Sequence, residues 1–133
     1  MFKRLLFTAM LLFSALHAEV INVPAGRDLL QKGIPVVDIR TPQEWKQTGL
    51  LKGSIPIMFF DERGGYNVDA FIKQLHKHVD TSKPFALICR TGSRTKMVSQ
   101  FLAATYGYKV INLLGGITEA YRRGLPFEPY TKR

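Results

Sequence analysis

The stretch FALICRTGSRTKMVSQFLAATY, residues 85–106, decides the fold. Four apolar residues lead into Cys89, the only cysteine in the chain. A continuous apolar run this short suits a strand covered on both faces. Arg90, Thr91, Gly92, Ser93 and Arg94 then make a polar loop. After the loop the spacing becomes helical. Met97, Val98, Phe101, Leu102 and Thr105 fall on one expected face, and Gly107 stops the helix. Strand, tight loop and helix in that order make half of a βαβ unit.

The same alternation runs outward from this stretch. IPVVDIR (34–40), SIPIMFF (54–60) and KVINLL (109–114) read as further strands, and VINV (20–23) as a short fifth. Between them lie helical patterns at 24–33, 41–49, 69–79 and 117–124. The first ends in Gly33, a C-cap residue; the second has Thr41 as N-cap and Pro42 at the first helical position. In the third, Phe71, Ile72, Leu75 and Val79 share a face. DERGGYN (61–67) is a turn-rich loop. Strands alternating with helices predict an α/β fold with a mainly parallel sheet. Ligands of such sheets bind beyond the carboxyl ends of strands. Cys89 is the last residue of one.

The chain has 133 residues, 46% hydrophobic and 22% charged, which fits one soluble globular domain with a sizeable core. Met1-Phe2-Lys3-Arg4 is a short basic head followed by an apolar stretch to Leu16, then small Ala18 before Glu19. This reads as a signal peptide over residues 1–18, with a bacterial periplasmic address and a mature domain at 19–133. The alternatives are an uncleaved anchor or a buried helix. Cleavage after Ala18 removes Lys3 and Arg4 and no acid, taking the net charge from +9 to +7. A basic surface favours anionic partners. No long basic run points to nucleic acid. No stable membrane association is expected after cleavage, and a monomer is expected. A lone thiol in an exported chain reads as a reactive group or an intermolecular bridge, against a buried inert cysteine.

The loop after Cys89 decides among these. Consecutive N–H groups between a strand end and a helix can curl into an anion nest, with the helix's positive end on the same spot. Gly92 can supply the positive φ that such a curl needs. Ser93 or Thr95 could cap the helix. A thiolate at Cys89 would then be stabilised with no metal and no histidine. Arg90 and Arg94 add permanent charge and a fork that suits oxyanions. The same nest would hold a cysteine persulfide, whose outer sulfur is anionic, and so permit a two-step transfer. Cysteine phosphatases place five residues between thiolate and arginine; here the arginine comes one position early, at Arg94, which ranks that chemistry low. His76 and His78, two apart on a helix, face different ways and read as surface residues, poorly spaced for a metal.

With these residues in view, the chain resembles the rhodanese family of single-domain sulfurtransferases. CRTGSRT (89–95) is similar to the family's active loop, VVDIRTPQEW (36–45) to its Asp-x-Arg signature, and LLGGITEAYRRGLP (113–126) to its C-terminal Gly-Gly and Gly-Leu-Pro segment. The resemblance implies a five-stranded, mainly parallel sheet with helices on both faces. It implies Cys89 as nucleophile, taking sulfane sulfur from a small anionic donor such as thiosulfate. Arg90, Thr91, Gly92, Ser93, Arg94 and Thr95 would form the substrate loop, the two arginines helping to hold the donor. Cyanide or a thiol would remove the sulfur. Asp38, Arg40 and Glu44 would organise the surroundings. No cofactor is implied. Departures are Leu50 where the family has histidine, Ser54 where it has alanine, and Ala120-Tyr121 at a tryptophan slot. Trp45, Phe59, Phe60 and Tyr66 either line the entrance or pack in the core. A second reading is a non-enzymatic sulfur carrier that loads once and hands on to a protein partner.

Overall fold

The computed structural model describes residues 18–131. The signal-peptide assignment therefore falls almost wholly outside the described residues. No helix among the described residues is long and apolar enough to cross a membrane.

The elements run β1 (Val20–Pro24), α1 (Arg27–Gln31), β2 (Val36–Asp38), α2 (Pro42–Thr48), β3 (Leu50–Leu51), β4 (Ile55–Pro56), α3 (Val68–His78), β5 (Phe85–Ile88), α4 (Ser93–Tyr106), β6 (Val110–Leu114), α5 (Gly116–Arg122) and β7 (Phe127–Glu128). Five strands form one sheet in the order β1-β6-β5-β2-β4, and every pair in it is parallel. The expected rhodanese-like architecture is therefore present.

Alternation along the strands divides the core in two. Val37, Phe85, Leu87 and Val110 face α3 and α4, where Phe71, Leu75, Val98 and Leu102 cover them. Val36, Ala86, Ile88, Ile111 and Leu113 face the other way, against Ala25, Ile117, Ala120 and Leu125. β5 lies inside the sheet and all four of its residues are buried. Cys89 continues the Phe85–Leu87 parity, so its side chain joins the α4 side.

The local signals act as read at several ends. Thr41 caps α2 in a reciprocal capping box with Glu44, and Pro42 opens the helix. Gly107 closes α4 with φ +76.

Three expectations need correction. The inward face of α4 is Thr95, Val98, Ser99, Leu102 and Ala103; Met97 is 59% exposed and Thr105 is exposed too. The small residues let the helix lie close on the sheet, so the apolar stripe is rotated toward the helix flank. The strand expected over 54–60 pairs only at Ile55–Pro56. Pro56 offers no N–H to a ladder, and β4 is accordingly an edge strand. The helix expected over 24–33 is confined to Arg27–Gln31, because Pro24 is still in register with Leu114 in the sheet. A two-stranded antiparallel pair, β3 with β7, was not expected at all. It ties the end of the chain back to the turn after α2.

Candidate active site

Cys89 follows β5, and its thiol is 1% exposed. The backbone around it is oriented by α5. Ile117 N–H donates to the Cys89 carbonyl at 2.8 Å, and Thr118 N–H to the Arg90 carbonyl at 3.1 Å. The Thr118 hydroxyl adds a third bond, to Arg90 O at 3.2 Å. These bonds occupy two of the free N–H groups in the first turn of α5 and turn the Cys89 and Arg90 carbonyls onto that helix. The sulfur then meets a donor: Gly92 N–H points at Cys89 Sγ from 3.2 Å.

Two glycines make this approach possible. Gly92 has φ +101 and is itself the N-cap of α4. A Cβ on Gly116, which has φ +55, would lie 2.4 Å from Cys89 O and 2.7 Å from Arg90 O. Side chains longer than hydrogen are therefore excluded where α5 meets the loop.

Neither Ser93 nor Thr95 caps α4 by a side-chain bond. Ser93 instead shares a contact of 3.2 Å with the Thr91 hydroxyl at the surface. Thr95 is fully buried, with its hydroxyl 3.5 Å from Cys89 Sγ and 3.2 Å from Gly92 O.

The two loop arginines differ. Arg94 binds Glu44 in a bidentate pair, at 2.7 and 2.8 Å. The pair is half-buried and mutually reinforcing. Hydrogen bonding from Arg94 holds the Glu44 carboxyl below its ordinary range, and Glu44 raises the Arg94 guanidinium. Arg90 is exposed and makes no side-chain bond among the described residues. It borders a cleft of about 320 Å³ whose lining includes Gln47, Thr48, Thr118 and Tyr121.

The Glu44 shift sets a pH dependence. A carboxyl depressed in the folded state adds stability that is whole above its unfolded value, near 4.5, and is lost as pH falls through the lower folded value. Glu44→Gln is therefore expected to lower Tm at pH 7, with the gap to the unaltered protein closing as pH falls below 4.5. A gap independent of pH would contradict the pairing.

Asp38 and Arg40 stand one strand away, at 0% and 1% exposure. Asp38 accepts Arg40 Nε at 3.0 Å, Arg40 Nη2 at 2.8 Å, the Arg40 backbone N–H at 3.1 Å and the Trp45 indole N–H at 3.1 Å. Arg40 directs two further donors to Thr48 Oγ1 and Gly49 O, at 2.8 and 2.9 Å. This network reaches the middle of α2 at Trp45 and its C-terminal end at Thr48 and Gly49. Glu44 belongs to the same helix, so the network positions the carboxylate that holds Arg94. Trp45 and Phe59 are core, 5% and 7% exposed. Phe60 and Tyr66 border an apolar crevice of about 170 Å³ with Met97 and Phe101. His76 is exposed, and its ring meets the Tyr108 hydroxyl at 2.6 Å.

The loop residues picked out by spacing, Cys89 to Thr95, lie together at the end of β5 and the start of α4. Spacing does not single out Thr48, Gly49 or Thr118, which contribute a hydroxyl oxygen, a backbone carbonyl, and a backbone N–H with a hydroxyl. No sequence pattern marks those. Trp45 was singled out, but not as the fourth donor to Asp38.

The sequence has a match among known families. The model of the rhodanese-like domain fits residues 25–122, most of the chain. The chain belongs to the rhodanese-like domain family. Two curated proteins are similar to this chain in sequence. Thiosulfate sulfurtransferase 16, chloroplastic, of Arabidopsis thaliana is 30% identical over 111 residues, 80% of this chain and 89% of that protein. An uncharacterized protein of Rickettsia prowazekii, RP600, is 32% identical over 84 residues, 61% of this chain and 66% of that protein. Among solved structures, the polysulfide-sulfur transferase homodimer of Wolinella succinogenes has the same rhodanese-like fold. Its TM-score is 0.63 at 22% identity, over 93% of this chain and 89% of that one.

Proposed function

We propose that this rhodanese-like protein is a sulfurtransferase that moves sulfane sulfur through a persulfide on Cys89. One observation carries the reading. The Cys89 sulfur sits at a strand end with the Gly92 N–H aimed at it, while the Cys89 and Arg90 carbonyls are turned onto α5. Such a setting favours negative charge on sulfur, and among the described residues no carboxylate or imidazole hydrogen-bonds to it. It suits a thiolate, then an anionic persulfide.

Thiosulfate is the donor that the Arabidopsis relative's name and the chemistry both support. The Cys89 thiolate attacks the outer sulfur of thiosulfate. The new Sγ–S bond forms as the old S–S bond breaks, and sulfite leaves with the electron pair. The persulfide keeps one negative charge. Cyanide, or a thiolate, then takes the outer sulfur, and Cys89 regains its charge as thiolate. No oxidant or reductant enters.

Arg90 is the guanidinium ready for the anionic donor. Arg94 reaches the donor only by releasing Glu44; in the pair it fixes the loop to α2. Asp38 and Arg40 position that helix. Export through residues 1–18 is part of the proposal, and an exported site would meet small sulfur anions directly.

Thiocyanate release from thiosulfate and cyanide tests this. The expected result is many turnovers per chain, and none for Cys89→Ser at unchanged Tm. Turnover by Cys89→Ser would overturn the mechanism. Release of a single equivalent by the unaltered protein would make it a carrier instead.

A further inference from the structure

We infer that Thr95 is a catalytic residue whose hydroxyl alternates between two acceptors as the Cys89 sulfur gains and loses charge; this rests on the persulfide cycle proposed above. The Thr95 side chain is 0% exposed, so no solvent competes for its proton. Its Oγ1 has two neighbours, the Gly92 carbonyl at 3.2 Å and Cys89 Sγ at 3.5 Å. The second distance is within hydrogen-bond reach of sulfur, whose radius lengthens the contact. A hydroxyl has one proton and a nearly free rotor.

In the thiol state, Cys89 S–H donates to Thr95 Oγ1 and Thr95 O–H donates to Gly92 O. In the thiolate state, the Thr95 O–H turns to the sulfur. Gly92 N–H and Thr95 O–H then donate to it together. In the persulfide, the charge lies on the outer sulfur, Sγ is a neutral bridging atom, and the hydroxyl returns to Gly92 O. When the acceptor attacks, the S–S bond breaks and its electron pair returns to Sγ. The hydroxyl meets that charge as it appears. Help delivered only as charge develops speeds the step.

The remaining charges around the sulfur are Arg90 in the loop, Arg94 on α4 with its partner Glu44 on α2, and the buried Asp38–Arg40 pair on the neighbouring strand. A change confined to Thr95 leaves all of them in place.

Thr95→Val keeps the shape and removes the hydroxyl; Thr95→Ser keeps the hydroxyl and removes a methyl. Two readouts on the full protein separate the roles. The first is the pH midpoint of Cys89 alkylation by iodoacetamide, which involves no sulfur transfer. The second is the single-turnover rate at which cyanide discharges a preformed persulfide. Thr95→Val is expected to raise the midpoint by about one pH unit, tenfold in thiolate fraction, and to slow discharge by about tenfold. Thr95→Ser is expected to stay within about twofold of the unaltered protein in both. The proposal is overturned if Thr95→Val matches the unaltered protein, or if Thr95→Ser is as impaired as Thr95→Val, which would make the role one of packing. A protein that forms no persulfide at all would sink the persulfide reading while the alkylation midpoint still judged the hydroxyl.

Discussion

Gly116→Ala is expected to abolish most sulfur transfer and to cost about 2–4 kcal/mol of stability. Two penalties add. An alanine at φ +55 bears the left-handed strain, roughly 1–2 kcal/mol. Its Cβ would also stand 2.4 Å from Cys89 O and 2.7 Å from Arg90 O, both backbone atoms. Relief requires α5 to move off the loop, and that breaks the bonds from Ile117 and Thr118 which turn the carbonyls outward. Gly124 is the control. It has φ +71 with nothing within 4 Å of a Cβ. Gly124→Ala should show the strain alone and keep its transfer activity. Equal behaviour of the two variants, read by urea unfolding and thiocyanate release, would show that the close approach to the loop carbonyls is unimportant.

Asp38→Ala should be the most destabilising substitution of a polar residue, at about 3–5 kcal/mol. The buried Arg40 guanidinium would lose its counter-charge, and the Trp45 N–H would lose its acceptor. The intact pair need not be a net stabiliser, because burying both charges is itself costly. Its service is geometric, since Arg40 reaches both Thr48 and Gly49 at the far end of α2. A loss below about 1 kcal/mol by urea unfolding would refute the network's structural weight.

Much of this was legible in the sequence because the signals are local. The run from Phe85 to Ile88, the change of period after it, and the Thr41-Pro42 start each depend on a few consecutive residues. The loop motif could be read for the same reason. What escaped depends on distant partners. Arg94 reads as a donor-binding cation until Glu44, fifty residues earlier, is seen to hold it. Met97 reads as inward-facing by spacing, yet it is exposed while small Ser99 and Ala103 are buried on the sheet side of α4. β3 and β7 are two residues each and pair Leu50 with Glu128 and Leu51 with Phe127, too short and too far apart in sequence for any pattern to reveal. Thr95 stands in the loop motif, but its position beneath the sulfur is a matter of how the first turn of α4 winds.

The central claim is that Cys89 carries the sulfur. The most direct test is the intact mass of the protein after incubation with thiosulfate, and again after cyanide is added. The account predicts a gain of one sulfur, lost to cyanide with release of thiocyanate and absent from Cys89→Ser. Two added oxygens have nearly the same mass, so reversal by cyanide is the deciding control. A mass unchanged by thiosulfate, or a gain that cyanide leaves in place, would contradict the account.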